Sequence, residues 1–570
     1  MLSPRFAYAN HKTQKGMVIK MKDFYKKYVN ESFDSNGILN KFEINVPDNF
    51  NFGYDVIDAI AIEEPEKLAM IWINEAGEEH KFTYADLMKK SNQVANMLVD
   101  HGIKKGDKVM AVLKRHYQFW FLTIALCKIG AVLIPATNQL MKKDYTYRFE
   151  AAEVKYVFAT IDGEVPEHVE GAIKEYDGIK EKFIVRGKKD GWVCFDEEIQ
   201  RYPDTLERIP NKVDDDMLLY FTSGTTGYPK MVLHSNYYSV AHLVTAKHWH
   251  HLDEASLHLT ISDTGWGKCM WGKMYGQFFC GSCIFVYDFD RFNSADILKK
   301  IQDYKITSFC APPTMFRMFI KDGVENYDLS NLKYSTIAGE ALNPEVYNRW
   351  LEYTGLKLME GFGQTESVLL VANLFGMTPK PGSMGRPVPL FDVDIVDENG
   401  NTLPAGETGE IVVRTKNSKH VGLFKEYYKN PDSTASSWHD DLYHTGDTAW
   451  KDEDGYFWYV GRMDDVIKAS GYRIGPFEIE SVLMEHPSVL EVAVTGATDP
   501  IRGQVVKATI ILTKQYKDKG DETLVKELQE YVKKSTAPYK YPRIIEFVDE
   551  LPKTISGKIK RNEIRNKDNK

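Results

Sequence analysis

Cysteine is scarce in this chain. Six occur in 570 residues, at Cys127, Cys194, Cys269, Cys280, Cys283 and Cys310. That count argues against a disulfide-stapled secreted scaffold and fits a reducing compartment. Only Cys280-Gly-Ser-Cys283 has CxxC spacing, and no second pair completes a zinc site. Inside the apolar run 278–286 it reads as a turn leading into a buried strand. Basic blocks are also missing beyond the N-terminus, and the formal net charge is −9, which excludes an electropositive nucleic-acid groove. No apolar run is long and clean enough to cross a bilayer: the best candidate, 119–136, carries Lys128 and Gly130. There is no internal repeat and no low-complexity tract. The usual nucleoside-triphosphate loop, Gly-x-x-x-x-Gly-Lys-Ser/Thr, is absent too.

What remains is a long globular pattern, 43% hydrophobic and 27% charged. At this length one core does not suffice, so two or more domains are expected. Strand and helix patterns alternate from Phe50 onward, which implies an α/β region. Residues 108–114 and 119–136 read as strand, helix, strand in a parallel sheet. Thr83 is a helix N-cap candidate, and 154–160 and 306–311 read as buried strands. Between Val393 and Arg414 the turns multiply, which predicts a small antiparallel β subdomain. A shift follows Arg462, and strands at 490–495 and 507–512 with an amphipathic helix at 522–534 predict a small α+β domain. The expected division is 1–463 and 464–570.

The most informative stretch is Tyr220-Phe221-Thr222-Ser223-Gly224-Thr225-Thr226-Gly227-Tyr228-Pro229-Lys230. Glycines admit close backbone approach, and successive N–H groups form an anion nest. The hydroxyls add donors and Lys230 adds a positive charge, so the fitting ligand is a polyphosphate. The apolar 217–221 and 231–233 flank the loop as strands. His234 reads as structural, just before a helix cap at Ser235 or Asn236.

This loop is similar to the phosphate loop of the adenylate-forming superfamily, which comprises acyl-CoA synthetases, luciferases and peptide-synthetase adenylation domains. Five further segments match in the family's order, from Met217 to Arg561. Ala338-Gly339-Glu340-Ala341-Leu342 resembles the adenine-pocket turn. Glu360-Gly361-Phe362-Gly363-Gln364-Thr365-Glu366 resembles the segment whose aromatic stacks on adenine, whose Thr meets the α-phosphate and whose Glu helps hold Mg²⁺. Mg²⁺ favours such hard oxygen ligands. Tyr443-His444-Thr445-Gly446-Asp447 is the third match, and its carboxylate resembles the ribose-hydroxyl acceptor. The last two are Gly461-Arg462-Met463-Asp464-Asp465 running into Lys468–Arg473, whose Arg462 would complete the ribose-binding pair, and Leu551–Ile559 with Lys558.

The resemblance implies a two-step ligase. A carboxylate attacks the α-phosphorus of ATP, with Lys558 and Mg²⁺ offsetting negative charge. A thiol then takes the acyl group. The implied catalytic residues are Lys558, Thr365 and Glu366, with Glu366 also the metal ligand. The C-terminal domain would turn about Asp464 between the steps. Asp48–Asp58 and Ser262–Lys273 look like the medium-chain acyl-CoA synthetase subfamily. That subfamily implies coenzyme A against Ser470, Gly471, Tyr472, Arg473, Arg502, Tyr541, Pro542 and Arg543. Trp266 and Gly363 would border the acyl pocket, with Trp271 lining or backing it. Where acetyl-CoA synthetases carry a space-closing Trp, Gly363 implies open space and an acid larger than acetate. An aryl-CoA ligase and a carrier-protein-loading adenylase are the alternatives. The implied partners are thus a small carboxylic acid, ATP and CoA, with the chain a monomer or homodimer. Location is expected to be cytoplasmic, or else the mitochondrial matrix, given five basic residues and no acid in 1–22.

Overall fold

A computed structural model describes residues 21–222, 229–416, 421–469, 472–499, 502–553 and 558–568. Two large, mostly parallel sheets form the body. The first has eight strands, and its centre is Lys108–Val112 between Val132–Pro135 and Tyr156–Thr160. The second has nine. Cys283–Asp288, Leu257–Thr260, Ser308–Ala311, Tyr334–Ile337 and Leu358–Phe362 run parallel through its middle. These central strands are buried along nearly their whole length because both faces are covered, as in parallel sheets.

Local sequence explains the packing between the sheets. Thr83 caps the helix Tyr84–Asp100 through a reciprocal box with Asp86. The helix Gln118–Ile129 is buried on every side and ends on Gly130 at φ +72. Its Lys128 survives burial because Asp58, Ser91 and Asn92 take up the three ammonium protons at 2.7, 3.0 and 2.7 Å. The strand, helix, strand expectation for 108–136 therefore holds. Among the described residues no helix is long and apolar enough to cross a membrane.

The antiparallel subdomain is also present: Asp392–Val396, Gly409–Arg414, Leu442–Lys451 and Phe457–Arg462 pair in one sheet. Beyond it, a five-stranded sheet is built on the hairpin Val489–Asp499 and Gly503–Leu512. The helices Pro476–Met484 and Glu522–Ser535 pack on it around Ile479, Leu483, Leu524 and Leu528. All six cysteines are free and all but Cys194 are buried; Cys283 opens the strand Cys283–Asp288, as a structural reading of the CxxC requires.

Candidate active site

The expected phosphate loop is the turn of a hairpin. Asp216–Phe221 pairs antiparallel with Met231–Ser235, and the Thr222 amide donates to the Lys230 carbonyl at 2.9 Å to close the stem. Ser223, Gly224, Thr225, Thr226 and Gly227 lie outside the described residues. The helix after the hairpin begins at Tyr237, but Asn236 gives it no side-chain cap. Its amide instead points to the Lys212 and Asp215 carbonyls.

The hairpin leads directly to the second motif. His234 is wholly buried and bonds the Thr365 carbonyl through Nε2 at 2.8 Å. Burial pushes this imidazole down to about 4, so it is neutral and Nε2 carries the donated proton. His234 thereby anchors the loop that follows the strand Leu358–Phe362. Next in the loop, Glu366 accepts from the Tyr427 hydroxyl at 2.8 Å. Burial raises its pKa, opposed by that hydrogen bond and by the charges of Arg462 and Lys230. The Lys230 ammonium rests 4.5 Å from the centre of the Tyr427 ring. Tyr427 therefore bridges the phosphate-loop lysine and the Glu366 carboxylate.

A second network joins this loop to the β subdomain. Gln364 donates through Nε2 to the Thr445 carbonyl at 2.8 Å and to Asp447, and its Oε1 accepts from Tyr443 at 2.6 Å. The Tyr459 hydroxyl donates to the other Asp447 oxygen at 2.9 Å. Arg462, opposite Asp447 in the strand ladder, lies 3.7 Å from it. Burial raises the Asp447 pKa, while Arg462, these two donors and the Lys558 charge work against it. Lys558 is also felt at Lys268, whose ammonium donates to the Ala338 carbonyl at 2.8 Å. The charge of Lys558 is thus felt both at Asp447 and at Lys268, the lysine that bonds the Ala338 carbonyl.

That turn is open. Gly339 sits at φ +106 with nothing within 4 Å of where a Cβ would stand. Glu340 accepts from Thr314 at 2.7 Å, and Ala341 is half-buried. Glu360 is buried, with one oxygen accepting from the Leu342 amide at 3.2 Å and the other without a partner. Burial pushes it up to about 8. Phe362 lies 6.2 Å from Tyr459, tilted at 38°. The donor set fits a purine nucleotide. A neutral carboxyl with one unused oxygen suits an exocyclic amine, a half-buried aromatic suits a base, and a carboxylate beside Arg462 suits ribose hydroxyls. Glu366 could give Mg²⁺ one hard oxygen, with phosphate oxygens as the rest.

The acyl-pocket expectation needs correction at Gly363. A Cβ there would meet Trp271 Cη2 at 2.4 Å and the Val368 carbonyl oxygen at 2.7 Å. The glycine leaves no open space; it admits the Trp271 indole. Trp271 is held by an Nε1–H···Oη bond to Tyr238 of 3.2 Å. Trp266 is the residue before the helix Gly267–Lys273 that presents Lys268 and Trp271.

Of the expected CoA contacts, Ser470 and Gly471 lie outside the described residues. Arg473 is described only as part of the strand Tyr472–Ile474. Tyr472 is half-exposed and stacked on Tyr539 at 4.1 Å. Arg543 donates to the Tyr541 hydroxyl at 2.8 Å, Pro542 accepts from Gln529 at 3.0 Å, and the exposed Arg502 bonds Asp499 through its amide. Asp464 is exposed, and its carbonyl accepts from Arg565 at 3.0 Å.

Sequence reasoning missed Tyr427, Tyr459 and Lys268. Lys268 lay inside a quoted motif segment, whereas Tyr427 and Tyr459 had no local signal.

The AMP-binding enzyme family model matches residues 57–428, and that of the AMP-binding enzyme C-terminal domain matches 478–558. Mouse acyl-coenzyme A synthetase ACSM3, mitochondrial, is 43% identical over 535 residues, covering 92% of each chain. Human acyl-coenzyme A synthetase ACSM4, mitochondrial, is 42% identical over 538 residues, covering 93% of this chain and 92% of that one. Among solved structures, the anthranilate CoA ligase AuaEII with anthranoyl-AMP superposes with a TM-score of 0.84 at 27% identity, covering 92% of this chain and 98% of that one. Brucella canis acyl-CoA synthetase gives 0.70 at 30% identity, covering 92% and 95%.

Proposed function

This chain belongs to the AMP-binding enzyme family, and on that premise we propose that it is an AMP-forming acyl-CoA synthetase. It uses ATP, Mg²⁺ and coenzyme A to activate a carboxylic acid as its acyl-adenylate with release of pyrophosphate. It then transfers the acyl group to CoA with release of AMP. The observation that supports this reading is the network joining the Gln364–Glu366 loop to Asp447 and Arg462, in a chain whose relatives at 42–43% identity are named acyl-CoA synthetases.

Residue by residue, Glu360, Phe362 and Gly339–Ala341 receive adenine. Asp447 and Arg462 hold the ribose, Thr365 and Lys558 meet the α-phosphate, and Glu366 receives Mg²⁺. Lys230 and the loop from Thr222 receive the departing pyrophosphate. The residues from 464 onward act as the mobile unit, and Ser470–Arg473, Arg502 and Tyr541–Arg543 serve the CoA step. An acid larger than acetate rests on the likeness to the medium-chain subfamily rather than on Gly363, and Trp266 and Trp271 bound it.

The relatives' names carry the mitochondrial alternative, and no finding supports the cytoplasmic expectation. The test is purified enzyme with ATP and Mg²⁺ against a panel of straight, branched and aromatic acids, with and without CoA. AMP and acyl-CoA should form together only when CoA is present, and pyrophosphate should form in both cases. Thioester formation on no member of the panel would overturn the reading.

A further inference from the structure

The backbone around Asp464 is anchored unequally on its two sides. Upstream, Arg462 is paired with Asp447 in the strand ladder, and the Met463 amide donates to the Gly446 carbonyl at 2.8 Å. The chain is thus fixed to the large unit as far as the Met463 nitrogen. Downstream, two arginines of the last helix take hold, Arg565 through direct hydrogen bonds. Arg565 donates through Nη1 to the Asp464 carbonyl at 3.0 Å and to Asp465 Oδ1 at 2.7 Å. Arg561 lies 3.7 Å from the other Asp465 oxygen and donates through Nη2 to both Glu480 oxygens at 2.8 Å. Glu480 is itself fixed by the Val494 amide at 2.8 Å. The helix Arg561–Asp568 that carries both arginines is seated by the buried Ile564 against Ala493 and Leu551.

Peptide geometry gives this arrangement its meaning. The Asp464 carbonyl lies in one rigid plane with the Asp465 nitrogen. Turning φ or ψ of Asp464 therefore carries that carbonyl with the residues after it. The Arg565 bonds move as part of the C-terminal unit and survive the turn. Bonds that must break include those reaching back across the pivot, from the Asp465 and Val466 amides to the Arg462 carbonyl at 2.9 and 3.1 Å, and the one from Asn343 to the Ser481 carbonyl at 3.1 Å.

We propose that Arg565, seated by Arg561, is a positioning residue that clamps the chain to the C-terminal unit from the Asp464 carbonyl onward and so confines the pivot to Met463–Asp464. The proposal rests on the reading that the C-terminal unit turns about Asp464. A hinge spread over several residues would deliver Lys558 and the CoA loop along a loose arc. One clamped at its downstream edge turns the unit as a rigid body.

Epistasis with the pivot tests this. Asp464→Pro fixes φ and should leave adenylation within about threefold while cutting acyl transfer from preformed acyl-adenylate to CoA by a hundredfold or more. Arg565→Ala frees Asp465 to absorb the turn. Asp464→Pro/Arg565→Ala should therefore recover transfer at least fivefold over Asp464→Pro, although Arg565→Ala alone slows both half-reactions. Arg565→Lys, which keeps one charged donor to the Asp465 carboxylate, should rescue less than Arg565→Ala. It carries the same test if the alanine variant loses its native far-UV spectrum. A merely structural role makes the losses add, with no rescue. A block by Asp464→Pro that neither Arg565 variant relieves overturns the clamp alone. Wild-type rates for Asp464→Pro in both half-reactions overturn the pivot and the clamp together.

Discussion

Gly363→Ala tests the wall between nucleotide and acyl group. The added carbon would stand 2.4 Å from Trp271 Cη2, 3.0 Å from its Cζ2 and 2.7 Å from the Val368 carbonyl oxygen. Ordinary carbon contacts lie at roughly 3.5–4.0 Å, so the indole edge must retreat by about 1 Å. It cannot do so freely, because Trp271 is buried and its Nε1–H is tied to the Tyr238 hydroxyl. Overpacking of this kind costs about 1–3 kcal/mol, to be read from urea unfolding at fixed pH. Part of the strain comes from Val368 and remains whatever stands at 271. In a Trp271→Ala background the indole share disappears, so Gly363→Ala should cost less there, with a coupling of about 1 kcal/mol or more. Function gives a second readout. Trp271→Ala should raise kcat/KM for longer or more branched acids relative to butyrate, since each methylene in an apolar pocket is worth roughly 1–3 kcal/mol. KM for ATP, followed in parallel, reports damage to the neighbouring Phe362 and Gln364. Equal cost of Gly363→Ala in both backgrounds, with an unmoved chain-length profile, would refute the reasoning.

Lys558→Ala should slow adenylation by on the order of 10²–10³ and leave thioester formation from preformed acyl-adenylate nearly intact; single-turnover rates of the two halves decide it. Tyr459→Phe removes a donor from the buried Asp447, a charged hydrogen bond worth about 1.5–3 kcal/mol, and should raise KM for ATP about tenfold or more. Glu360 keeps its proton in the folded state up to about 8, whereas the unfolded chain releases it near pH 4.5. Its contribution to stability is full below the unfolded value and is lost as pH rises through about 8, at ~1.4 kcal/mol per pH unit. Glu360→Gln should flatten the urea midpoint between pH 5 and 8, and an unchanged slope would show that the carboxyl is ionised in the native state.

The parts of the fold legible in the sequence are those set by short-range periodicity. Strand, helix, strand over 108–136 follows from apolar spacing broken at Gly130, and Thr83 with Asp86 writes its own helix start. The order of the phosphate-loop, adenine and ribose segments was equally plain, because each is contiguous. Contacts between distant segments were not legible. Nothing near Gly363 announces that Trp271, 92 positions earlier, fills its vacant side-chain space. Tyr427 meets Glu366 across 61 positions, and Arg565 reaches Asp464 across 101. Each is made by the topology, which brings a strand edge or a C-terminal helix back to an earlier turn. Local patterning misled at Asn236 for a similar reason: its amide satisfies carbonyls at 212 and 215 rather than the helix behind it.

Two buried carboxyl groups, Glu360 and Asp447, and the half-buried Glu366 belong to the proposed nucleotide site, an arrangement that would repel a polyanion if all were charged alike. The surroundings divide them. Among the described residues no cation pairs with Glu360, and burial keeps it protonated to about 8, so it can face a base as a neutral donor and acceptor. Asp447 has Arg462 at 3.7 Å and two neutral donors; its charge is balanced without the nucleotide. Among the described residues, Glu366 accepts a side-chain hydrogen bond from the Tyr427 hydroxyl, with Arg462 and Lys230 acting through their charges. Of the three, it is the carboxylate that gains most from a metal. Mg²⁺ arriving with the nucleotide would supply that charge at the moment the phosphates add theirs. The acid, negative itself, would then meet a cleft already neutralised on the nucleotide side, with Lys268 and, on the proposed reading, Lys558 as cations beside it. Nucleotide binding ahead of the acid is the order this distribution of charge favours, and dead-end inhibition patterns with a non-hydrolysable ATP analogue and an acid analogue would expose the reverse.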